Sequence, residues 1–125
     1  MPNENKSKVW IPQEPMVKDR DTGEWISKGF DLASASQFGS SIIVWQHGAS
    51  ILQRDMIEDR ALEVARQYDE LEDYVVCLGS PTLIAALGWA IGWEGKTLRV
   101  LEWDKRLKRY YPTLGETLQT GEADA

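Results

Sequence analysis

The sequence predicts an α/β domain, a small single-domain sandwich with a mixed sheet and two main helices. Residues 74–78 form an apolar run rich in β-branched side chains, and a glycine follows them. Ser80 and Pro81 are residue types favoured at the N-cap and at the first position of a helix. The thirteen residues over 81–93 carry no charge, and Gly95 stands where a helix end favours the left-handed conformation. The segment therefore predicts a buried strand, a tight turn and an almost wholly buried helix over 81–93.

The second observation is an amphipathic helix that precedes this unit. Apolar side chains recur there at intervals of four, three, four and three residues, which is one stripe of a 3.6-residue period. The stripe consists of Ile57, Ala61, Val64, Tyr68 and Leu71. Asp55 and Glu58 have the spacing of a capping box at its start.

The third observation is an alternation of short strands with helices along the chain. We predict strands over 9–11, 25–26, 41–46, 97–103 and 109–113, and one or two helical turns over 31–39. Two β-α-β units imply right-handed crossovers, a parallel centre and antiparallel edge strands. Pro12 and Pro15 place the first strand at an edge. The predicted core is Ile42, Val44, Ile57, Val64, Val76, Leu78, Ile84, Leu87, Val100 and Trp103.

The domain organisation follows from polarity. We predict a disordered N-terminus over 1–8, a single α/β domain over 9–115 and a flexible acidic tail over 116–125. The one cysteine, Cys77, excludes an internal disulfide and a multi-cysteine metal site, and its apolar strand predicts inert core. No metal site or cofactor is predicted. The first residues lack the apolar region of a signal peptide, so we expect a cytoplasmic protein.

Residues 75–93 carry no charge and together are long enough to span a bilayer. Gly79 and Pro81 divide this run into a short strand and a helix too short to cross a bilayer. Acidic residues rather than basic ones flank both ends. The sequence therefore favours a buried helix and no membrane partner.

Charge and aromatic content both bear on partners. The net charge is −6, yet residues 55–73 hold eight acidic against two basic side chains, and residues 96–109 hold six basic against two acidic ones. Six tryptophans are many for 125 residues. Opposed charge clusters and surplus aromatic surface predict a homodimer or larger homo-oligomer.

A candidate anion site lies at the strand-end turn. Gly79, Ser80 and Thr82 combine a tight turn, a hydroxyl and unpaired N–H groups at a helix N-terminus, which suit a phosphate-like group. Ligands of open α/β sheets bind outside the carboxyl ends of strands, where this turn lies. His47, at the end of the strand over 41–46, can add a donor along the same edge. The alternative is that Ser80 only caps its own helix.

A second candidate is the basic hairpin turn. Lys105, Arg106, Lys108 and Arg109 are flanked by Trp103, Tyr110 and Tyr111, a combination that can track a phosphate backbone and stack bases. The alternative is a solvated turn whose charges protect an edge strand. The negative net charge disfavours nucleic acid as a partner.

The helix over 81–93 also carries small residues on one face. Ala85, Gly88 and Gly92 can serve self-association or close packing on the sheet, and Trp89 and Trp93 would cover the sheet or a partner. For catalysis the single His47 is the one candidate, and no spacing specifies a triad, so no catalytic residue is assigned.

Short motifs occur over Val9 to Pro15, Asp21 to Glu24, Asp31 to Gly39, Asp73 to Val75, Gly79 to Pro81 and Leu101 to Asp104, and at Tyr110. Together they resemble the opening and the second half of short proteins from tailed-bacteriophage genomes, a resemblance that implies expression in the host cytoplasm. The resemblance covers about residues 9–112 and implies a phage protein without an assigned activity. Ser80 stands where that group is expected to have aspartate, and both residues can cap a helix.

These observations give a leading hypothesis and two alternatives. The leading one is a non-enzymatic binding protein that acts on a host or phage protein, or that sequesters a small anionic, nucleotide-like ligand at residues 79–82. The alternatives are a homo-oligomeric assembly protein and a small enzyme that uses His47.

Overall fold

The structure is a computed structural model that describes residues 7–14, 16–27, 32–46 and 53–115. His47, the tail over 116–125 and residues 1–6 of the predicted disordered N-terminus lie outside the described residues. Within them are β1 (Lys8–Gln13), β2 (Met16–Lys18), β3 (Trp25–Ser27), a 3-10 helix (Leu32–Phe38), β4 (Ser40–Trp45), α1 (Arg54–Gln67), β5 (Tyr74–Val76), α2 (Pro81–Trp93), β6 (Val100–Asp104) and β7 (Arg109–Leu114).

The strands form a five-stranded sheet in the order β4-β1-β5-β6-β7, and β2 pairs with β3 in a separate antiparallel hairpin. Strands β4, β1, β5 and β6 are parallel, and β7 lies antiparallel to β6 at one edge. With α1 and α2 as the two main helices, this confirms the predicted α/β class with a mixed sheet.

The prediction that the first strand lies at an edge is wrong, because β1 lies between β4 and β5. Proline is tolerated there because the β1/β5 ladder is short. It pairs Val9 with Tyr74 and Trp10 with Val75. Pro12 lies beyond that last pair, and the β1/β4 register also passes from Ile11 to Gln13 without pairing it, so neither ladder includes the proline.

The direction of the connections decides which face each helix covers. The chain moves from β1 outward to β4, and then returns in the opposite direction through β5 to β6. Right-handed connections therefore place α1 and α2 together on one face and the 3-10 helix on the other. The buried residues agree: one cluster joins α1 and α2 to Trp10, Val44 and Val75, and the other joins Ala35 of the 3-10 helix to Val9 and Leu101.

The predicted core is confirmed in part. Seven of its members are buried, and Ile42, Ile84 and Trp103 are half-buried. The prediction missed β1 altogether, whose Val9, Trp10 and Ile11 are almost fully buried because this strand is central.

Two predictions for α1 need correction. The helix begins at Arg54 with Gln53 at the N-cap, and no side chain caps it, so Asp55 does not start a capping box. Leu71 is 63% exposed, because α1 ends at Gln67 and the residue lies in the following turn. Ile57, Ala61 and Val64 are buried as predicted.

The bounds of α2 match the prediction, but its burial does not. Leu83, Leu87, Ala90 and Ile91 are buried, whereas the opposite side of the helix faces solvent. The absence of charge favours burial of the whole helix, yet the sheet and α1 cover one side of it only. The C-terminus follows the expected pattern: Gly95 has φ +76°, and the N–H of Lys96 donates to the Ile91 carbonyl over 3.0 Å.

Candidate functional site

The strand-end turn after β5 lies at the point where the sheet reverses its winding, between the carboxyl ends of β1 and β5. Gln13 occupies this crevice and is 8% exposed. Its N–H donates to the Leu78 carbonyl at 3.3 Å, and its side-chain Nε2 donates to the Gln46 carbonyl at 3.1 Å. Its Oε1 accepts a hydrogen bond from the Ser80 N–H at 3.1 Å. Gln13 thus closes the crevice, and the sequence pattern gave no signal for this because strand order was unknown.

The predicted anion residues Gly79, Ser80 and Thr82 lie together at the start of α2. Ser80 is at the N-cap, but its side chain forms no capping hydrogen bond, and its N–H is already bound by Gln13. Thr82 is exposed in the first turn, where N–H groups have no partner within the helix. His47, the fourth predicted residue, lies outside the described residues, so its position relative to the turn is not given.

The basic hairpin turn carries Lys105, Arg106, Lys108 and Arg109, all exposed. The structure does not bring the neighbouring aromatic rings to their side. Tyr110 is buried and Trp103 half-buried, and their rings contact each other edge to face with centroids 4.9 Å apart. Only Tyr111 among the three predicted aromatics is exposed, at 39%.

A groove of about 460 Å³ separates the N-terminal halves of α1 and α2. Both helices follow parallel strands, so both begin at the carboxyl edge of the sheet. The floor and walls are mainly apolar, and the charged groups come from α1. The lining residues are Arg54, Ile57, Glu58, Thr82, Ala85, Ala86 and Trp89.

The solvent side of α2 continues this groove. Ala85, Trp89, Gly92 and Trp93 are exposed there, and we call these four residues the outer face of α2. Trp93 is 72% and Trp89 is 43% exposed, and their ring centroids are 6.2 Å apart. Contiguous exposed apolar surface of this kind marks interaction sites. A helical wheel could have found it, since Trp89 lies about 200° and Trp93 about 240° around the helix from Leu87, so neither is on the buried side.

A smaller cavity of about 190 Å³ lies on the other side of the sheet, at the ends of β5 and β6. Cys77 and Glu102 are among its lining residues. Cys77 is exposed, so the prediction of an inert core cysteine is wrong about its position. Partial burial of the thiol raises the pKa of Cys77, and the Glu102 carboxylate raises it further. Both effects disfavour the thiolate, which is the nucleophilic form of the side chain.

The part of the chain that the structure describes contains neither a metal-binding cluster nor a membrane-spanning helix. No group of three or more His, Cys, Asp or Glu side chains there is arranged to hold a metal ion. No helix in the same residues has the length and apolar character needed to cross a membrane.

The fold and the groove define a small α/β domain with an exposed aromatic helix face. A family model described as phage Pam3 gp32-like protein matches residues 7–116. The chain therefore belongs to the phage Pam3 gp32-like protein family, which confirms the resemblance to phage proteins. The match brings no assigned activity. No curated protein and no solved structure matches the chain.

Proposed function

We propose that this phage protein is a non-enzymatic binding protein whose ligand is a protein surface, bound through the outer face of α2. The observation that carries the proposal is the exposure of Trp89 and Trp93 on a helix without a charged residue. Tryptophan is enriched at protein interfaces, where its indole supplies both apolar area and a hydrogen-bond donor.

The composition of the surface supports a protein ligand. The outer face contains two aromatic anchors together with Ala85 and Gly92, whose small side chains let a partner approach the helix backbone closely. Among the described residues, the charged groups near it stand at its margins, with Arg54 and Glu58 on α1 beside the groove. An apolar centre with a polar rim is the usual anatomy of a protein interface.

The small-anion hypothesis at Gly79, Ser80 and Thr82 has less support. The Ser80 N–H already donates to Gln13 Oε1, so one of the expected donors is engaged. Thr82 also lines the groove, and a ligand there would compete with the proposed protein contact. The enzyme hypothesis rests on His47, which lies outside the described residues, and gains no support from the described geometry.

Site-specific photo-cross-linking tests the proposal. A benzophenone amino acid replaces Trp93 in the full chain, produced in cells that are making the phage. The matched control carries the same substitution at Trp25, which is 52% exposed on β3. We expect a discrete protein adduct from position 93 and none from position 25. Absence of any adduct at position 93, or equal adducts at both positions, would overturn the proposal.

A further inference from the structure

We propose that the outer face of α2 binds a second copy of this chain across a two-fold axis. The two α2 helices lie antiparallel, and Trp93 of each copy enters the groove between α1 and α2 of the other. The inference rests on the proposed function, because it names the partner of the same surface.

A protruding side chain, Trp93, and the groove that can receive it lie on one face of the molecule. Trp93 is the most exposed tryptophan on α2, and the groove beside Ala85 and Ala86 is one turn beyond Trp89 in the N-terminal direction. With a rise of about 1.5 Å per residue, Trp93 lies about 11 Å along the helix from the centre of these two alanines. A two-fold axis near Trp89 exchanges the two positions. A self-complementary patch of this kind gives a closed dimer.

The small residues have matching positions about the same axis. Ala85 and Gly92 lie three or four residues to either side of it, so each faces the other across the antiparallel pair. A Cβ added at Gly92 would meet no atom within 4 Å, so the helix surface is open at this point. The two helices can therefore approach closely, which brings the Trp93 ring within reach of the groove.

The groove suits an indole in size and chemistry. Its volume of about 460 Å³ falls in the range of pockets that hold small organic molecules, and its lining is mainly apolar. Glu58 is half-buried at the groove wall and forms no hydrogen bond or ion pair with another described residue. Its carboxylate supplies the acceptor that a buried indole N–H requires.

Charge complementarity selects the antiparallel arrangement. Arg54 stands beside the N-terminal end of the α2 outer face, and Glu94 is exposed at the C-terminal end. Neither side chain has a hydrogen bond or ion pair within the described residues. Antiparallel packing brings Arg54 of one copy to Glu94 of the other, twice per dimer, whereas parallel packing brings like charges together.

The two exposed tryptophans supply part of the area that a contact between two copies buries. At 72% and 43% exposure, Trp93 and Trp89 offer roughly 200 Å² per copy, since an aromatic side chain buries about 150–250 Å². That is about a quarter of the roughly 800 Å² that each partner buries in a standard interface. The alanine, glycine and groove residues around them enlarge the contact.

Sedimentation velocity on the full chain, from micromolar to millimolar concentration, tests the proposal. We expect a concentration-dependent dimer of twice the 14.2 kDa chain mass. Trp93→Ala should raise the dissociation constant at least about tenfold, and the control Trp25→Ala should leave it unchanged. Arg54→Glu and Glu94→Arg should each weaken the dimer, and the double variant should recover most of the loss. Thermal unfolding of each variant checks that the fold is retained.

The outcomes separate this inference from the proposed function. A wild-type monomer throughout the range, a dimer that Trp93→Ala leaves intact, or a charge reversal without recovery overturns the inference. The adduct mass in the photo-cross-linking experiment then decides the proposed function. An adduct with a different protein supports the proposed binding surface and rules out a second copy as its partner. A cross-link within the same chain rules out both the proposed function and the further inference.

Discussion

The indole N–H of Trp10 donates a hydrogen bond to Asp73 Oδ2 over 3.0 Å inside the domain. Asp73 is fully buried just before β5. Its Oδ2 also accepts from the Asp69 N–H at 2.9 Å, and its Oδ1 accepts from the Lys8 N–H at 2.9 Å. One carboxylate therefore joins the start of β1 to the start of β5.

Asp73→Asn should destabilise the domain by about 2–4 kcal/mol. The asparagine amide keeps one acceptor oxygen, but an NH2 group replaces the other. The N–H groups that donate to that second oxygen in the wild type then stay buried without an acceptor. Urea unfolding gives the free energy. The control is Asp59→Asn on the exposed side of α1, which should change it by less than about 0.5 kcal/mol. Equal effects of the two substitutions would contradict the role assigned to Asp73.

Gly79→Ala should cost about 2–4 kcal/mol of stability. Gly79 has φ +103°, and an added Cβ would lie 2.5 Å from the Gln13 Cβ and 2.8 Å from the Gln13 carbonyl oxygen. Left-handed strain and a backbone clash therefore act together. Gly23→Ala is the control, because Gly23 has φ +75° with nothing within 4 Å of an added Cβ. It should cost only about 1 kcal/mol, and a similar loss for both variants would show that the Gln13 contact is not tight.

Alkaline pH should weaken the domain through Tyr68. Burial raises the pKa of Tyr68 to about 12, and its hydroxyl donates to the Thr97 carbonyl and accepts from the Arg99 N–H, both over 2.9 Å. The folded pKa lies above the unfolded value near 10, so the stabilisation is complete below pH 10 and is lost as the pH rises through 12. The loss reaches at most about 2 kcal/mol at pH 12.

Comparison of Tyr68→Phe with wild type isolates this effect. The wild type should be more stable at pH 8, and its advantage should shrink between pH 10 and 12. The exposed Tyr111 provides the control, since Tyr111→Phe should follow the wild type across the range. A constant difference between Tyr68→Phe and wild type would exclude Tyr68 as the source of the pH dependence.

Glu102→Gln should increase the reactivity of Cys77. Partial burial is the larger cause of the raised pKa of the Cys77 thiol, and the Glu102 carboxylate adds to it. Removal of the carboxylate charge therefore lowers this pKa and raises the thiolate fraction. We expect alkylation at pH 8 to become a few times faster. Glu94→Gln, which changes a charge outside the Cys77 cavity, should leave the rate unchanged. If Glu102→Gln does not speed the alkylation of Cys77, Glu102 is not a cause of the raised thiol pKa.

Local signals predicted the elements well, because they act within a few residues. Pro81 and Gly95 fix the ends of α2 through backbone preferences that need no knowledge of the fold. Local preferences also set the turn after β2. Asp19 Oδ1 accepts a hydrogen bond from the Asp21 N–H at 2.8 Å, and Gly23 supplies the positive φ.

Features that depend on strand order could not be predicted. The place of β1 between β4 and β5 decides that Gln13 closes the crevice and that Trp10 reaches Asp73. The exposure of α2 was missed for a related reason. A lack of charge indicates that a helix can be buried, but only the packing of α1 and the sheet decides which side is covered.

The central claim is that two copies of this chain bind each other through the outer face of α2, and fluorine NMR of the 5-fluorotryptophan-labelled chain tests it most directly. Each of the six tryptophans gives its own resonance, assigned by single substitution. As the concentration rises from micromolar to millimolar, the account predicts that the Trp89 and Trp93 resonances shift together, while those of exposed Trp25 and buried Trp10 stay fixed. Unchanged Trp89 and Trp93 resonances, or an equal shift at Trp25, would contradict it.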